Sequence, residues 1–436
     1  MDNIILKSIK IKNFGPFADE FWFTTSIDRS KKEFIENTFS CEDERFNKIS
    51  YIYGANGAGK SNFCKAIIHI QKLINLSPLL ASSHPQLLEL QPIKLHTSEM
   101  DKHFIFDMDR KNIPSEYEIE IIINKITYNY SFAILNSLIV YEKLTKKKQR
   151  TETILLRTSP KYNDIELKSE LSDFKQNVNV VKEKALCLSM AAFLNNPLAS
   201  KIIASISNIK VVNMANFNGL RNITQESFTE SVREKCLPIL KIIEPTLNNL
   251  SVEFTEKKLN MPKFPIDNND LEGKELIIKN IRVNVQSEHS VYQKDQIVDT
   301  VQLPFLKYES TGTIKMLSIL PLLFSALDTG TPIIIDELEN GLHPNIVQHI
   351  LSLFKSSIIN KLNSQLICTT HCMSLVEKKV RRDQVWVINK DYHGRSSIKR
   401  ISEYPGTRAT DNIAEKYLRS AFGDIPSFES SLKNTI

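Results

Sequence analysis

Apolar and polar positions change period along this chain, and each change marks a different kind of structure. Ile9 and Ile11 alternate with Lys10 and Lys12, so 4–13 reads as an opening strand, and Asn13-Phe14-Gly15-Pro16 turns out of it. Lys48–Tyr53 mixes β-branched and aromatic residues like a second short strand. Phe63, Ala66, Ile67, Ile70, Leu73 and Ile74 then recur at helical spacing. The polar, charged stretch 27–47 predicts a loop or insertion between these strands, and the Ser/Pro/His-rich segment from Ser77 to Pro92 predicts a boundary.

Period two then dominates. Glu118-Ile119-Glu120-Ile121 alternates, Asn124-Lys125 supplies a turn, and Thr127–Phe132 alternates again, which predicts an antiparallel hairpin that Ile154-Leu155-Leu156 extends into a sheet. Lys146-Lys147-Lys148-Gln149-Arg150 sits between these strands and reads as a solvated tip in preference to a nucleic-acid patch. The stretch 168–248 is richer in Leu, Ala, Lys and Glu, with Ile202, Ile206 and Ile209 at helical spacing, and predicts a helical lobe. Extended patterns such as Glu275-Leu276-Ile277-Ile278 return over 249–300, and there is neither an internal repeat nor a long heptad array.

From residue 305 helices and strands alternate. Ile314, Leu317, Leu320 and Leu323 mark a helix that Pro321 is expected to kink or to end halfway. Asp328-Thr329-Gly330-Thr331 makes a turn, and Pro332-Ile333-Ile334-Ile335 is the continuous apolar run of a buried parallel strand. Pro344 opens another helix, with Ile346, Val347, Ile350, Leu351 and Phe354 on its apolar face. Gln365–Thr369 and Val385–Ile388 add two strands, and the alternation predicts an α/β sheet. Its halves lie at opposite ends of the chain. The expected organisation is a core from 1–80 and 301–436, an antiparallel β subdomain over 81–165 and a helical insertion over 166–300.

Composition narrows this picture only slightly. A chain of 436 residues with 42% apolar content predicts two or three folding units around a sizeable core. No run approaches the roughly 18 apolar residues of a membrane span. Met1-Asp2-Asn3-Ile4 lacks the features of a signal peptide, so a cytoplasmic protein without membrane contact is expected. Six cysteines, at 41, 64, 187, 236, 368 and 372, form no CxxC, and Cys368 and Cys372 flank His371 without further ligands for zinc. A net charge of +6 permits contact with nucleic acid without arguing for it.

The chemistry is concentrated at the two ends. Gly54-Ala55-Asn56-Gly57-Ala58-Gly59-Lys60-Ser61 fits the phosphate-binding pattern G-x-x-x-x-G-K-[ST], and it lies between a strand and a helix as that loop must. Glycines let backbone N–H groups curl around phosphate oxygens, and the helix start adds favourable partial charge. Asn56, Gly57, Ala58, Gly59, Lys60, Ser61 and Asn62 are thus expected to bind ATP. Lys60 would reach the β- and γ-phosphates, and the Ser61 hydroxyl would ligate Mg²⁺. Asp336-Glu337 ends the apolar strand: Asp336 would hold Mg²⁺, directly or through water, and Glu337 would orient and deprotonate the attacking water. His371, one strand further on, is placed to contact the γ-phosphate. Glu309-Ser310-Thr311-Gly312-Thr313 precedes a helix, where Ser310 and Gly312 make either a second phosphate-binding surface or an ordinary N-cap.

The order of Gly54–Ser61, Ser310–Gly312, Asp336-Glu337 and His371 resembles that of the ABC-type ATPase heads shared with SMC and recombination-repair ATPases. More closely, Glu309–Thr313, Asp336–Pro344 and the hairpin around Pro114-Ser115-Glu116-Tyr117 resemble the RloA/AbiLi ATPases of bacterial anti-phage and abortive-infection systems. The likeness extends to Tyr417-Leu418-Arg419 and Ile425-Pro426 and is weakest over about 165–300. It implies an ABC-type head with a parallel P-loop sheet, an antiparallel β subdomain and an inserted helical lobe. It also implies that two heads sandwich two ATP molecules. Within one head the loop and the signature face away from each other, so Ser310 and Gly312 act in trans, and Asn340 and His343 lie in the segment crossing the dimer interface. Thr311 replaces the first signature glycine, which implies slow hydrolysis. Gln91 is the candidate for the Mg²⁺-sensing glutamine. The stretch after His371 is short for the nuclease domain fused to related proteins, so a nuclease effector would be a separate chain.

Three functions compete. One is a defence ATPase that senses a phage-derived trigger and gates a separate toxic effector. Another is a DNA-bound repair ATPase that recruits a nuclease. The third, a non-hydrolytic module using ATP as assembly glue, is opposed by intact Lys60, Asp336 and Glu337.

Overall fold

The computed structural model describes residues 3–80, 100, 102–215, 220, 223–224, 228–260, 277–372, 375 and 380–423. Gln91, most of the Ser77–Pro92 boundary, Glu275-Leu276 and Ile425-Pro426 lie outside the described residues. The chain divides into two compact units: Met1–Ala215 with Ala326–Asn340 and Pro344–Ile436, and Asn216–Ser325 with Gly341–His343.

The larger unit begins with β1 (Ile4–Lys12) and β2 (Phe21–Thr24). The stretch expected to be a loop instead forms a hairpin, β3 (Thr38–Cys41) and β4 (Glu44–Asn47). Phe39 pairs with Phe46 across it, and both rings pack with Ile5 and Ile122 in a small cluster. Two apolar residues among charged neighbours hold the pair, which leaves too little periodicity to read. Next come β5 (Ile49–Gly54) and α1 (Lys60–Leu80), the expected strand and helix around the glycine loop.

The period-two stretch forms the antiparallel strands β6 (Ser115–Ile123), β7 (Ile126–Leu135), β8 (Leu138–Lys147), β9 (Thr151–Arg157) and β10 (Ile165–Leu167). Residues 148–150 are the exposed turn between β8 and β9. The sheet has seven strands in the order β10-β9-β8-β7-β6-β1-β2, so the opening strand belongs here, paired with β6. The expected helical stretch supplies α2 (Cys187–Phe193) and α3 (Pro197–Asn208), but also β11 (Lys210–Asn213), a strand of the parallel sheet. Four residues are too few for a period, and the parallel partner of β11 lies far along the chain.

The smaller unit contains α4 (Glu230–Ile243) and a three-stranded antiparallel sheet, β12 (Leu247–Asn260), β13 (Ile277–Gln293) and β14 (Gln296–Pro304). The short α5 (Phe305–Tyr308) leads to α6 (Thr311–Thr329), which runs through Pro321 without ending there. Buried Met316, Leu317, Ile319, Leu320 and Leu323 hold this helix together against the missing N–H. By length and composition α6 is apolar enough to cross a membrane, but Lys315, Pro321 and Asp328 interrupt its apolar run and most of it is buried inside the protein.

Back in the larger unit, β15 (Ile333–Asp336), α7 (Pro344–Lys355), β16 (Leu366–Thr369), β17 (Val385–Lys390) and β18 (Ser396–Arg400) follow, then α8 (Ile413–Leu418). The second sheet runs β11-β15-β16-β5-β17-β18, parallel throughout except for β18. The apolar residues of α1 read from sequence are all buried, in one core cluster with Ile9, Phe21 and Phe23 of the antiparallel sheet and Ile334, Ile367 and Trp386 of the parallel one. Removing Phe63 from that cluster would cost about 3–5 kcal/mol. This core fixes the carboxyl ends of β5, β15 and β16 relative to each other.

Candidate functional site

At the end of β5 the chain passes so close to β17 that any Cβ on Gly54 would stand 2.6 Å from the Ile388 carbonyl oxygen. Gly59 has φ +119°, and a side chain there would also meet Ser396 Oγ at 2.9 Å. Both positions therefore require glycine. Asn56 and Gly57 are exposed at the tip, Ala58, Gly59 and Lys60 are buried, and Ser61 and Asn62 are partly buried in the first turn of α1. The Ala58 carbonyl accepts a hydrogen bond from Ser396 Oγ at 2.6 Å, and the Gly59 carbonyl accepts from Asn62 N at 3.0 Å. Lys60 Nζ donates to the carbonyls of Gly54 (2.7 Å) and Ala55 (3.2 Å). Burial lowers its pKa, while the negative charges of Glu337, Asp336 and Glu339 work the other way.

Those carboxylates belong to the same sheet, two strands away. Asp336 ends β15 fully buried, and both its oxygens are engaged. Oδ2 accepts from Asn213 Nδ2 and Oδ1 from Thr369 Oγ1, each at 2.6 Å. The next residue, Glu337, has φ +56°, a left-handed backbone rare for a side-chain-bearing residue. Its N–H donates to Thr369 Oγ1 at 2.9 Å, and its Oε2 accepts from Asn340 Nδ2 at 2.9 Å. Strain of this kind persists where neighbours over-determine it, and it clusters at functional sites. Asn340 thus binds Glu337 within the chain. His371, just past β16, lies beside Glu339, with Nδ1 3.0 Å from Oε1 and its backbone N–H donating to the same oxygen at 2.7 Å.

Sequence reasoning missed Asn213 and Thr369, which hold Asp336. Thr369 stands in the Thr369-Thr370-His371 run already singled out, so its position after an apolar strand was a usable signal. Asn213 carries no local signal, because its role depends on β11 lying in register with β15, Asn213 opposite Asp336.

The signature segment lies in the smaller unit. Ser310 is exposed and caps α6: its Oγ accepts from Thr313 N at 3.1 Å and lies 2.8 Å from Thr313 Oγ1. The N-cap alternative is therefore realised, with the hydroxyl still at the surface. Glu309 pairs with His289 Nε2 of β13 at 2.8 Å. A Cβ on Gly312 would stand 3.5 Å from the Gly341 carbonyl oxygen, and one on Gly341 would collide with Lys315 Nζ at 2.8 Å.

The donor set suits Mg²⁺, which prefers hard oxygen ligands and keeps several from phosphate and water. Among the described residues no group of three or more His, Cys, Asp or Glu side chains is arranged to hold a metal. An ion here would take the Ser61 hydroxyl and the Asp336 carboxylate, with the rest of its shell from substrate and solvent.

Among solved structures, the SMC head domain from Thermotoga maritima is similar over 91% of this chain and 98% of that one, with 12% sequence identity and a TM-score of 0.36. No curated protein matches the sequence. The family model described as "AAA domain, putative AbiEii toxin, Type IV TA system" matches residues 49–183 and 216–377, which take in the phosphate loop, the signature segment, the acidic pair and His371. With more than half of its length matched, this P-loop chain belongs to that AAA-domain family.

Proposed function

We propose that this chain is a defence ATPase of the RloA/AbiLi kind, in which ATP binding and hydrolysis between two paired heads controls a separate toxic effector such as a nuclease. One observation carries the reading. Lys60 and the Asp336-Glu337 pair stand at the carboxyl ends of strands in one parallel sheet, close enough for the carboxylates to act on the lysine's charge. Ligands bind at that edge of α/β sheets. The loop and Lys60 hold the triphosphate, and Glu337, fixed by Asn340 and Thr369, takes the proton of the attacking water. A positioned base contributes about 10²–10⁴-fold to such a step. Mg²⁺, when bound at Ser61 and Asp336, supplies neutralisation of phosphate charge. Ser310 and Gly312, exposed or partly exposed at a helix start, meet the nucleotide of a second copy, giving a closed two-fold pair. The defence role draws on the motif resemblance and on the toxin–antitoxin wording of the matching family. It places the protein in the cytoplasm, away from membranes, answering a phage-derived trigger. Contact with nucleic acid is secondary.

The test is ATP turnover by the purified chain. Glu337→Gln should keep ATP bound and lower turnover by about 100-fold or more. Hydrolysis by that variant at the wild-type rate removes Glu337 as the base. Lys60→Ala mixed with Ser310→Arg should regain activity, since a mixed pair holds one intact site; an ATP-loaded monomer sinks the pairing. DNA and RNA incubated with the chain and Mg²⁺ or Mn²⁺ should stay intact.

A further inference from the structure

β17 runs parallel to β5, so the turn that joins it to β18 leaves the sheet at the same edge as the phosphate loop. That turn, 391–395, is built onto the loop. Ser396 donates from Oγ to the Ala58 carbonyl at 2.6 Å and from its N–H to the Pro16 carbonyl at 2.8 Å. The turn is closed by Asp391 N–H donating to the Arg395 carbonyl at 2.9 Å and by Gly394 N–H donating to the Asp391 carbonyl at 3.0 Å. Gly394 has φ +81°, and the Phe106 ring lies over it, 2.9 Å from where a Cβ would stand. Phe106 is in turn edge-on to Phe104, with centroids 5.6 Å apart. The segment carrying both is tied to the opening turn, since Lys102 O accepts from Gly15 N at 2.7 Å and Asn13 Oδ1 accepts from Phe104 N at 3.1 Å.

Two aromatic rings are left open on this ledge: Tyr392 is 93% exposed and Phe106 67%. Beside them Arg395 pairs with Asp107 at 4.0 Å, while its buried Nε makes no hydrogen bond. Strand order supplies the direction. The acidic pair lies on the β15 side of β5 and the turn on the β17 side, in the order β15-β16-β5-β17-β18. A triphosphate with its γ end toward Asp336 and Glu337 sends its nucleoside toward this turn.

We propose that Phe106 and Tyr392 form the stacking platform for the purine base of the nucleotide, with Arg395 at its border. The proposal rests on the nucleotide-binding reading above and adds the half of the ligand that the phosphate loop does not address. A flat base stacks on aromatic faces without sequence-like specificity, so the platform favours nucleotide over bare polyphosphate.

The full chain is titrated by calorimetry with ATP and, separately, with inorganic tripolyphosphate. A Phe106→Ala/Tyr392→Ala double variant should bind ATP about tenfold more weakly or worse, with tripolyphosphate unchanged. Tyr392→Phe in the wild-type background should keep the ATP affinity. Equal ATP affinity in wild type and double variant overturns the platform, as does a parallel loss of both ligands. A wild type that binds tripolyphosphate as tightly as ATP overturns it too, while the phosphate-loop reading stands. Binding of neither ligand by wild type removes both readings. Because the variants could be faulted for altered folding, the wild-type protein is also photolabelled with 8-azido-ATP. Label on the peptides carrying Phe106 or Tyr392 supports the platform, and label only elsewhere overturns it.

Discussion

In the larger unit Asp336 gives both carboxylate oxygens to neighbours and Glu337 is held at backbone and side chain. In the smaller unit Ser310 gives its hydroxyl to the helix it starts, and β14 is exposed along nearly all its length. One region is a preorganised set of groups whose partners come from two strands of one sheet, β11 and β16, and from Asn340 just beyond β15. The other is a helix start that needs only itself to stand. Preorganised polar groups cost no rearrangement when charge develops, which suits the chemical half of a site. An open helix start suits the half that arrives with a partner. The contrast supports the proposed division of labour between the two chains of a pair.

The largest expected effect breaks the organised region outright. Asp336→Ala leaves the Asn213 amide and Thr369 hydroxyl without their acceptor, and ATP turnover should fall by about 10³-fold; steady-state hydrolysis above a tenth of wild type would show that the network is ornamental. Asn213→Ala is the sharper cut, because it touches no part of the phosphate loop or acidic pair by sequence. Losing one of the two bonds that aim Asp336 should cost about 10–100-fold in activity or metal affinity, measured as turnover against Mg²⁺ concentration. Ser310→Ala probes the other region. The cap contributes about 1 kcal/mol, read as a small drop in the denaturation midpoint, and turnover should fall further than that loss of fold explains. A variant that melts earlier yet hydrolyses ATP normally would make Ser310 a cap and nothing more.

The effect that is smallest at neutral pH concerns His69, buried between Phe14 and Tyr117 on α1. Burial, helped by the nearby charge of Lys102, lowers its pKa from 6.5 to about 3. The unfolded chain therefore binds a proton between those values that the folded chain refuses, so this stability is present above the unfolded value of 6.5, nearly complete by pH 7, and is lost as pH falls toward about 3. The deficit is about 0.2 kcal/mol at pH 7 and grows toward about 1.4 kcal/mol per pH unit in acid. His69→Phe should flatten the melting temperature between pH 6 and about 4.5 relative to wild type. An unchanged slope would mean that the ring is protonated in the fold.

What could be read from sequence was whatever repeats or punctuates locally. β5, α1 and β15 announce themselves by period, and Gly54–Ser61 and Asp336-Glu337, the proposed chemical anchors, stand out by pattern alone. β3 and β4 were hidden because Phe39 and Phe46 are isolated among Glu44, Arg45 and other polar residues. β11 was hidden because four residues carry no period and its partner is β15, more than a hundred residues on. Asn213 inherits that blindness. The left-handed backbone of Glu337 was invisible for another reason: nothing in Asp336-Glu337-Leu338 marks a turn, and the Thr369 hydroxyl that accepts from its N–H lies on the adjacent strand.

That backbone has a consequence for anyone who engineers this chain. Glycine adopts a φ of +56° freely, whereas a side chain there is strained by about 1–3 kcal/mol. Glu337→Gly discards the Asn340 hydrogen bond but relieves that strain. A library ranked by melting temperature alone would therefore enrich glycine at 337 and, with Glu337 as the proposed base, fill with stable proteins that bind ATP without turning it over. Stabilising screens on this scaffold need an activity gate, because at this position the climb toward robustness leads directly out of function.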